Sequence, residues 1–176
     1  MYSEDLKRLR KKLRKDKQFL KVVKFFNNVA NEISISGFYN EISSLHKRRS
    51  SRTLNSGEKA FLDKVVEADL QDLAYRSRVA EIELACVRTV AEYGPILDDL
   101  VVYLRAEYLE ELRGFFKAKG EQEEFCQSLC KDQVKFIRDV KTVQEAARIV
   151  VTDIDKSSFR LSNLIEVAKI AHGRKT

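Results

Sequence analysis

The chain has 176 residues, 44% of them hydrophobic and 34% charged, with a formal net charge of +6 and a pI near 9.2. One proline and six glycines exclude a β-rich fold, which needs far more turn chemistry, so one all-α domain over 1–176 is expected. The positive balance points to anionic partners (nucleic acid, acidic protein or an anionic membrane surface), with plain solubility as the bland alternative.

Ser3 is a candidate N-cap, with Glu4 and Asp5 facing the helix dipole, for a first helix over about 3–33. Its apolar residues are Leu6, Leu9 and Leu13, then Phe19, Val22, Phe26, Val29 and Ile33. Between them lie Lys7, Arg8, Arg10, Lys11, Lys12, Arg14, Lys15 and Lys17, eight cations in eleven positions. That pattern is a basic amphipathic helix. Such helices meet anionic lipid, acidic proteins or nucleic-acid phosphates; the alternative is the solvated face of a core helix. No aromatic residues interleave with these cations, which argues against stacking on single strands.

Phe38, Tyr39, Ile42 and Leu45 mark a short helix, and His46–Gly57 lacks apolar periodicity. The stretch 46–57 is therefore expected to be an exposed, mobile basic loop carrying Lys47, Arg48, Arg49 and Arg52. A second helix is expected over about 57–119, capped by Asn55 or Ser56. Its stripe is Val66, Leu70, Leu73, Ser77, Ala80, Leu84, Val87 and Ala91, at steps of four and three. This assigns Leu84 to a packed seam and Glu83 to solvent. Pro95 removes a donor and clashes with the preceding turn, but Leu97, Val101, Leu104, Tyr108, Leu112 and Phe115 resume at once. A kinked continuous helix is the preferred reading, over two antiparallel helices.

A tight turn near Gly120, flanked by Lys117 and Lys119, should reverse the chain into a third helix over about 121–172. Its stripe runs Phe136, Val140, Val143, Ala147, Val150, Ile154, Ser157, Leu161, Leu164, Ala168 and Ala171. Asp155–Ser158 has the composition of a loop, but the phase through it is kept, so it should be helical. About 50 helical residues would span roughly 75 Å. Seams of this kind are what long helices need to pack side by side. The expected fold is all-α: three long kinked helices in an elongated antiparallel coiled-coil bundle.

Three cysteines argue against a disulfide framework and for free thiols in a reducing compartment. Cys126 and Cys130, four apart, could offer two metal ligands, but His46 and His172 make no second pair. No metal or cofactor is expected. No Gly-rich phosphate loop or nucleophile–base set exists, and Asp98-Asp99 and Glu110-Glu111 read as solvated faces of charged helices. No stretch resembles a membrane span or signal peptide. A cytoplasmic, membrane-associated or nuclear setting is consistent with all of this.

The segment Leu70-Gln71-Asp72-Leu73-Ala74-Tyr75-Arg76, then Val79, Glu81, Glu83-Leu84, Val90 and Tyr93-Gly94, resembles the middle of the BAR-like domain in the Chibby-interacting family of ciliary proteins. Gln144-Glu145-Ala146 and Thr152-Asp153 through Ser157-Ser158 fall at similar family positions. The chain departs from the family at Pro95 and at Asp98-Asp99. The resemblance implies a non-enzymatic homodimer on anionic membranes, with partner proteins at cilium-forming or trafficking membranes. The candidate contacts are Lys7, Arg8, Arg10, Lys11, Lys12, Arg14, Lys15, Arg48, Arg49, Arg52, Lys117 and Lys119. The alternatives are a compact helical-bundle adaptor, or nucleic-acid binding through the N-terminal helix.

Overall fold

The computed structural model describes residues 2–54 and 61–173. The protein is all-α, with no strand among the described residues: α1 (Tyr2–Leu13), α2 (Lys17–Glu32), α3 (Ile35–Ser50), α4 (Phe61–Glu107), α5 (Leu109–Phe115), α6 (Lys119–Leu129) and α7 (Lys131–Gly173). No described helix is long and apolar enough to cross a membrane. Where the sequence suggested one domain, the chain divides into two compact units. Unit 1 joins Met1–Ser34 with Val87–Lys141, and unit 2 joins Ile35–Cys86 with Thr142–Thr176.

The expected first helix over 3–33 is two helices, and Ser3 lies inside α1 rather than capping it. Asp16 causes the break. Its backbone is extended (φ −62°, ψ 130°), and Oδ1 accepts the Phe19 N–H at 2.9 Å, capping α2. Its second oxygen accepts the hydroxyls of Tyr108 at 2.8 Å and Tyr103 at 3.1 Å. One carboxylate thus starts α2 and ties it to the end of α4 and the step that follows.

The expected basic loop over 46–57 is corrected at its start, while 52–54 is non-helical as expected and 55–57 lies outside the described residues. His46–Ser50 is the last turn of α3, and Ser51 still donates its N–H to Lys47 O at 3.1 Å. The expected start of the second helix near 57, with its caps Asn55 and Ser56, lies outside the described residues. Pro95 sits within an unbroken α4, as the resumed apolar pattern suggested. That helix ends at Glu107 rather than 119, and Tyr108 (φ −111°, ψ 27°) steps the chain into α5. The turn before α6 falls at 116–118, ahead of Gly120, which is already helical. The expected third helix is divided at Cys130 (φ −94°, ψ 26°). Beyond it, α7 runs unbroken through Asp155–Ser158 to Gly173.

The stripes fare differently. In α7, Phe136, Val140, Val143, Ala147, Val150, Ile154 and Leu161 are buried, while Leu164 is exposed. In the N-terminal helices Leu9, Leu13, Phe19, Phe26 and Val29 are buried. Phe26 meets Phe136 edge-on, with centroids 6.3 Å apart. The α4 stripe is overturned: Leu70 is 63% exposed, Leu73 49% and Leu84 49%. The face turned inward is the neighbouring stripe Val65, Ala68, Asp72, Val79, Ile82, Cys86 and Thr89. It too steps by threes, fours and sevens.

Unit 2 has an ionic layer in this inward stripe. Asp72 is 2% exposed and accepts from Arg49 Nε at 3.2 Å and from Arg52 Nη1. Arg49 reaches on to Asp153 at 2.7 Å, and Arg52 to the Ala68 carbonyl at 3.0 Å and over the Tyr75 ring. Phe38, Ile42, Leu45, Arg49 and Arg52 step by four and three, so two arginines take positions where apolar residues would continue the seam. Beside this layer Val65, Ala68 and Leu161 pack with Phe61 and Ile165. Arg78–Glu41 at 2.6 Å and Arg76–Asp155 add surface pairs.

Candidate interaction surfaces

Helix α1 does not offer both faces to a membrane. Leu9 and Leu13 are buried in unit 1, so its apolar face is committed to the core. Its polar face and the turn after it remain outside: Lys7, Arg8, Lys11, Arg14 and Lys15 are exposed. The other two cations are tethered. The Arg10 guanidinium lies 5.3 Å from the Phe125 ring centre. Lys12 pairs with Glu111 at 2.6 Å and lies over the Tyr108 ring at 5.2 Å. These contacts put α1 beside α5 and α6, whose connecting turn carries Lys117. Lys117 and Lys119 are both exposed. Two cationic segments a hundred residues apart in sequence are therefore neighbours within one unit.

Of the candidate contacts in α3 and just after it, only Arg48 has an exposed head with no ion pair among the described residues. Arg49 and Arg52 were expected on a mobile loop; they are instead the partners of buried Asp72. Their side chains are 9% and 20% exposed, which corrects their assignment as surface contacts. Sequence periodicity missed them because it counts only apolar residues.

The second surface is the outer face of α4. Val66, Leu70, Leu73 and Leu84, with Val87 further along, are exposed large apolar residues, and Ser77 and Ala80 lie between them. Small residues at the middle of a stripe allow close approach of another helix. The helix therefore carries two heptad stripes one residue apart. The inner one is filled by the chain itself.

Two further cations were not singled out from the sequence. Arg105 and Arg113 line a cleft in unit 1 together with Lys117 and Lys119. Their spacing with Leu109, four residues each way, was the available signal.

The cysteines offer little chemistry. All three are buried and free. Burial pushes the Cys126 thiol up to about 11 and, with Cys126 beside it, the Cys130 thiol up to about 12. Both are protonated at neutral pH and poor nucleophiles or ligands. No cluster of three or more His, Cys, Asp or Glu suited to a metal ion occurs among the described residues.

No protein-family model matches this chain, and neither a curated protein nor a solved structure is significantly similar to it.

Proposed function

We propose that the chain is a non-enzymatic BAR-like helical module that pairs with a second copy of itself and meets anionic membrane surfaces. The observation that carries the reading is the exposed outer stripe of α4. A heptad stripe with leucines about half exposed or more is a seam lacking its partner. Its steps read four, three, four, three, four, three, four in either direction. An antiparallel copy can therefore set Leu73 against Leu84 and Leu70 against Val87, with Ser77 and Ala80 at the crossing. The same register brings Arg88 toward Asp69 and Glu81 toward Arg76, opposite charges in both cases. The exposed cations of α1, with Lys117 and Lys119, supply the membrane contact, each worth about 1 kcal/mol near an anionic surface. The resemblance to the Chibby-interacting BAR-like family points the same way.

Sedimentation equilibrium tests the pairing. The wild type should sediment at twice its 20.4 kDa chain mass. Leu73→Asp with Leu84→Asp should be monomeric with unchanged helicity. A wild type that stays at one chain mass at every concentration removes the second copy from the reading. The stripe would then belong to a helix of a different protein, and the adaptor reading replaces this one. Co-sedimentation with phosphatidylserine vesicles tests the membrane part. Binding should weaken with salt, since the Debye length shrinks from about 10 Å at 0.1 M to about 3 Å at 1 M. Loss of binding in a Lys7, Arg8, Lys11, Arg14 and Lys15 to Gln variant would support it; a wild type that ignores these vesicles at low salt overturns it.

A further inference from the structure

Beside the hairpin turn of unit 1, the end of α4, α5 and the start of α6 border an open cleft of about 370 Å³. Arg105, Arg113, Lys117 and Lys119 line it, and no carboxylate does. We propose that this cleft is a binding site for a polyphosphate group, of the kind carried by inositol phosphates and by phosphoinositide headgroups. The proposal deepens the anionic-membrane reading by naming a ligand for the hairpin end, and its test separates the two.

Charge is the first argument. Four cations converge on one cleft within fifteen residues of chain. Among the described residues, Arg105 alone of the four has an ion-pairing carboxylate, Glu123 at 3.3 Å, and that carboxylate is itself about half exposed. Arg113, Lys117 and Lys119 make no ion pair among the described residues. Like charges held together repel, and a multivalent anion offsets that repulsion.

Shape is the second. The cleft lies within the range of small-ligand pockets, about 300–1,000 Å³. It is more than ten times the roughly 30 Å³ share of one water, which suits several phosphates better than a single small ion.

The third argument is preorganisation. Gln122 is 4% exposed, and its Nε2 donates to the Phe116 carbonyl at 3.0 Å, pinning the turn that carries Lys117. Arg105 and Arg113 project from helices rather than loops. Lys117 and Lys119 also flank Ala118, the N-cap of α6, which has no side-chain acceptor to offer. Glu121, in the first turn of α6, accepts the Ala118 N–H at 3.3 Å.

The test uses the full chain and two probes. Soluble inositol trisphosphate is titrated calorimetrically. Phosphatidylcholine vesicles containing phosphatidylinositol bisphosphate are used for co-sedimentation, with phosphatidylserine vesicles of equal charge as the reference. Arg113→Gln and Lys117→Gln should each weaken binding about tenfold or more, the worth of one charge-assisted hydrogen bond. Lys11→Gln, on α1, should leave trisphosphate binding unchanged. Circular dichroism should show equal helicity in all variants. Binding of the soluble probe assigns the site to free inositol phosphates as well as lipids. Cleft-dependent binding of the bisphosphate vesicles alone assigns it to the lipid. Failure of both probes, or equal losses from Lys11→Gln and Lys117→Gln, overturns the cleft. Trisphosphate binding without phosphatidylserine binding would keep the cleft and overturn the general membrane reading.

Discussion

Helices α4 and α7 carry apolar stripes of the same period, yet one faces solvent and the other the core. Phe136 to Leu161 is buried along α7, whereas Leu70, Leu73 and Leu84 on α4 are exposed. The difference teaches what a heptad pattern reports. It says that a helix face has the spacing of a packing seam, not that the seam is filled within the chain. On α4 the stripe facing inward is the less apolar of two neighbours, since it contains Asp72 and Thr89. It is filled because Asp72 has partners: Arg49 and Arg52 occupy the facing seam positions of the α3 segment. Ionic complementarity set the inner face, and the more apolar stripe was left outside.

The sharpest way to break this comparison is to put the same charge on each stripe. Ile154 is fully buried, so Ile154→Asp leaves an unpaired carboxylate in a packed seam. The cost of several kcal/mol takes most of the roughly 5–15 kcal/mol that holds a domain folded. Leu84→Asp, expected from the sequence to unfold or dissociate the protein, should leave the melting temperature of dilute chain nearly unchanged and act on self-association alone. Thermal melts followed by circular dichroism at low concentration check both. Comparable losses of stability would mean that the outer stripe is packed within the chain after all.

A somewhat smaller effect is expected at the ionic layer. Asp72→Ala leaves Arg49, with a side chain only 9% exposed, without its buried partner. A loss of about 3–5 kcal/mol follows, read as a fall in the urea midpoint. Replacing Asp72, Arg49 and Arg52 together by leucine should recover most of it, because an apolar layer avoids the desolvation of the ions. A triple variant no better than Asp72→Ala would show that the layer fixes the helix register rather than merely filling it.

These residues also show how much could be read in advance. The α7 stripe kept its phase through Asp155–Ser158, so the helix there was legible despite loop-like composition, and the resumed pattern after Pro95 foretold one helix. The break at Asp16 was legible in principle. Leu6, Leu9 and Leu13 step by three and four, but Phe19 follows six residues later, one short of a heptad. That slip, with an Asp amid cations, is a cap signal. The break at Cys130 carries no such mark: Gln122, Cys126, Leu129, Gln133 and Phe136 keep step across it, all buried. The last turn of α3 stayed hidden because its inward residues are arginines. The α1 and hairpin cations were recognisable as clusters, but their adjacency depends on Lys12–Glu111 and Arg10–Phe125, contacts that join segments a hundred residues apart.

The smallest predicted effect concerns that slip. Burial raises the Asp16 carboxyl, but hydrogen bonds from the Phe19 N–H, the Tyr108 and Tyr103 hydroxyls and the Gln18 N–H outweigh it, so its pKa is held below the ordinary carboxylate value. A folded-state pKa below the unfolded one stabilises the fold above the unfolded value, about 3.9. This contribution is lost as pH falls through the folded value. Asp16→Ala should therefore cost about 1 kcal/mol at neutral pH, the usual worth of an N-cap. Its disadvantage should shrink under acid, where wild-type Asp16 is protonated. Asp16→Asn keeps a capping oxygen but no charge, so it should sit between the two at neutral pH and lack the acid-dependent part. Tyr103→Phe with Tyr108→Phe should move the Asp16 titration, followed by carboxyl NMR shifts, back up toward the ordinary value. If the gap between wild type and Asp16→Ala stayed constant down to the lowest pH at which both remain folded, the cap would act through geometry alone. The one-residue slip between the two halves of the N-terminal stripe would then require a cause other than the charge on Asp16.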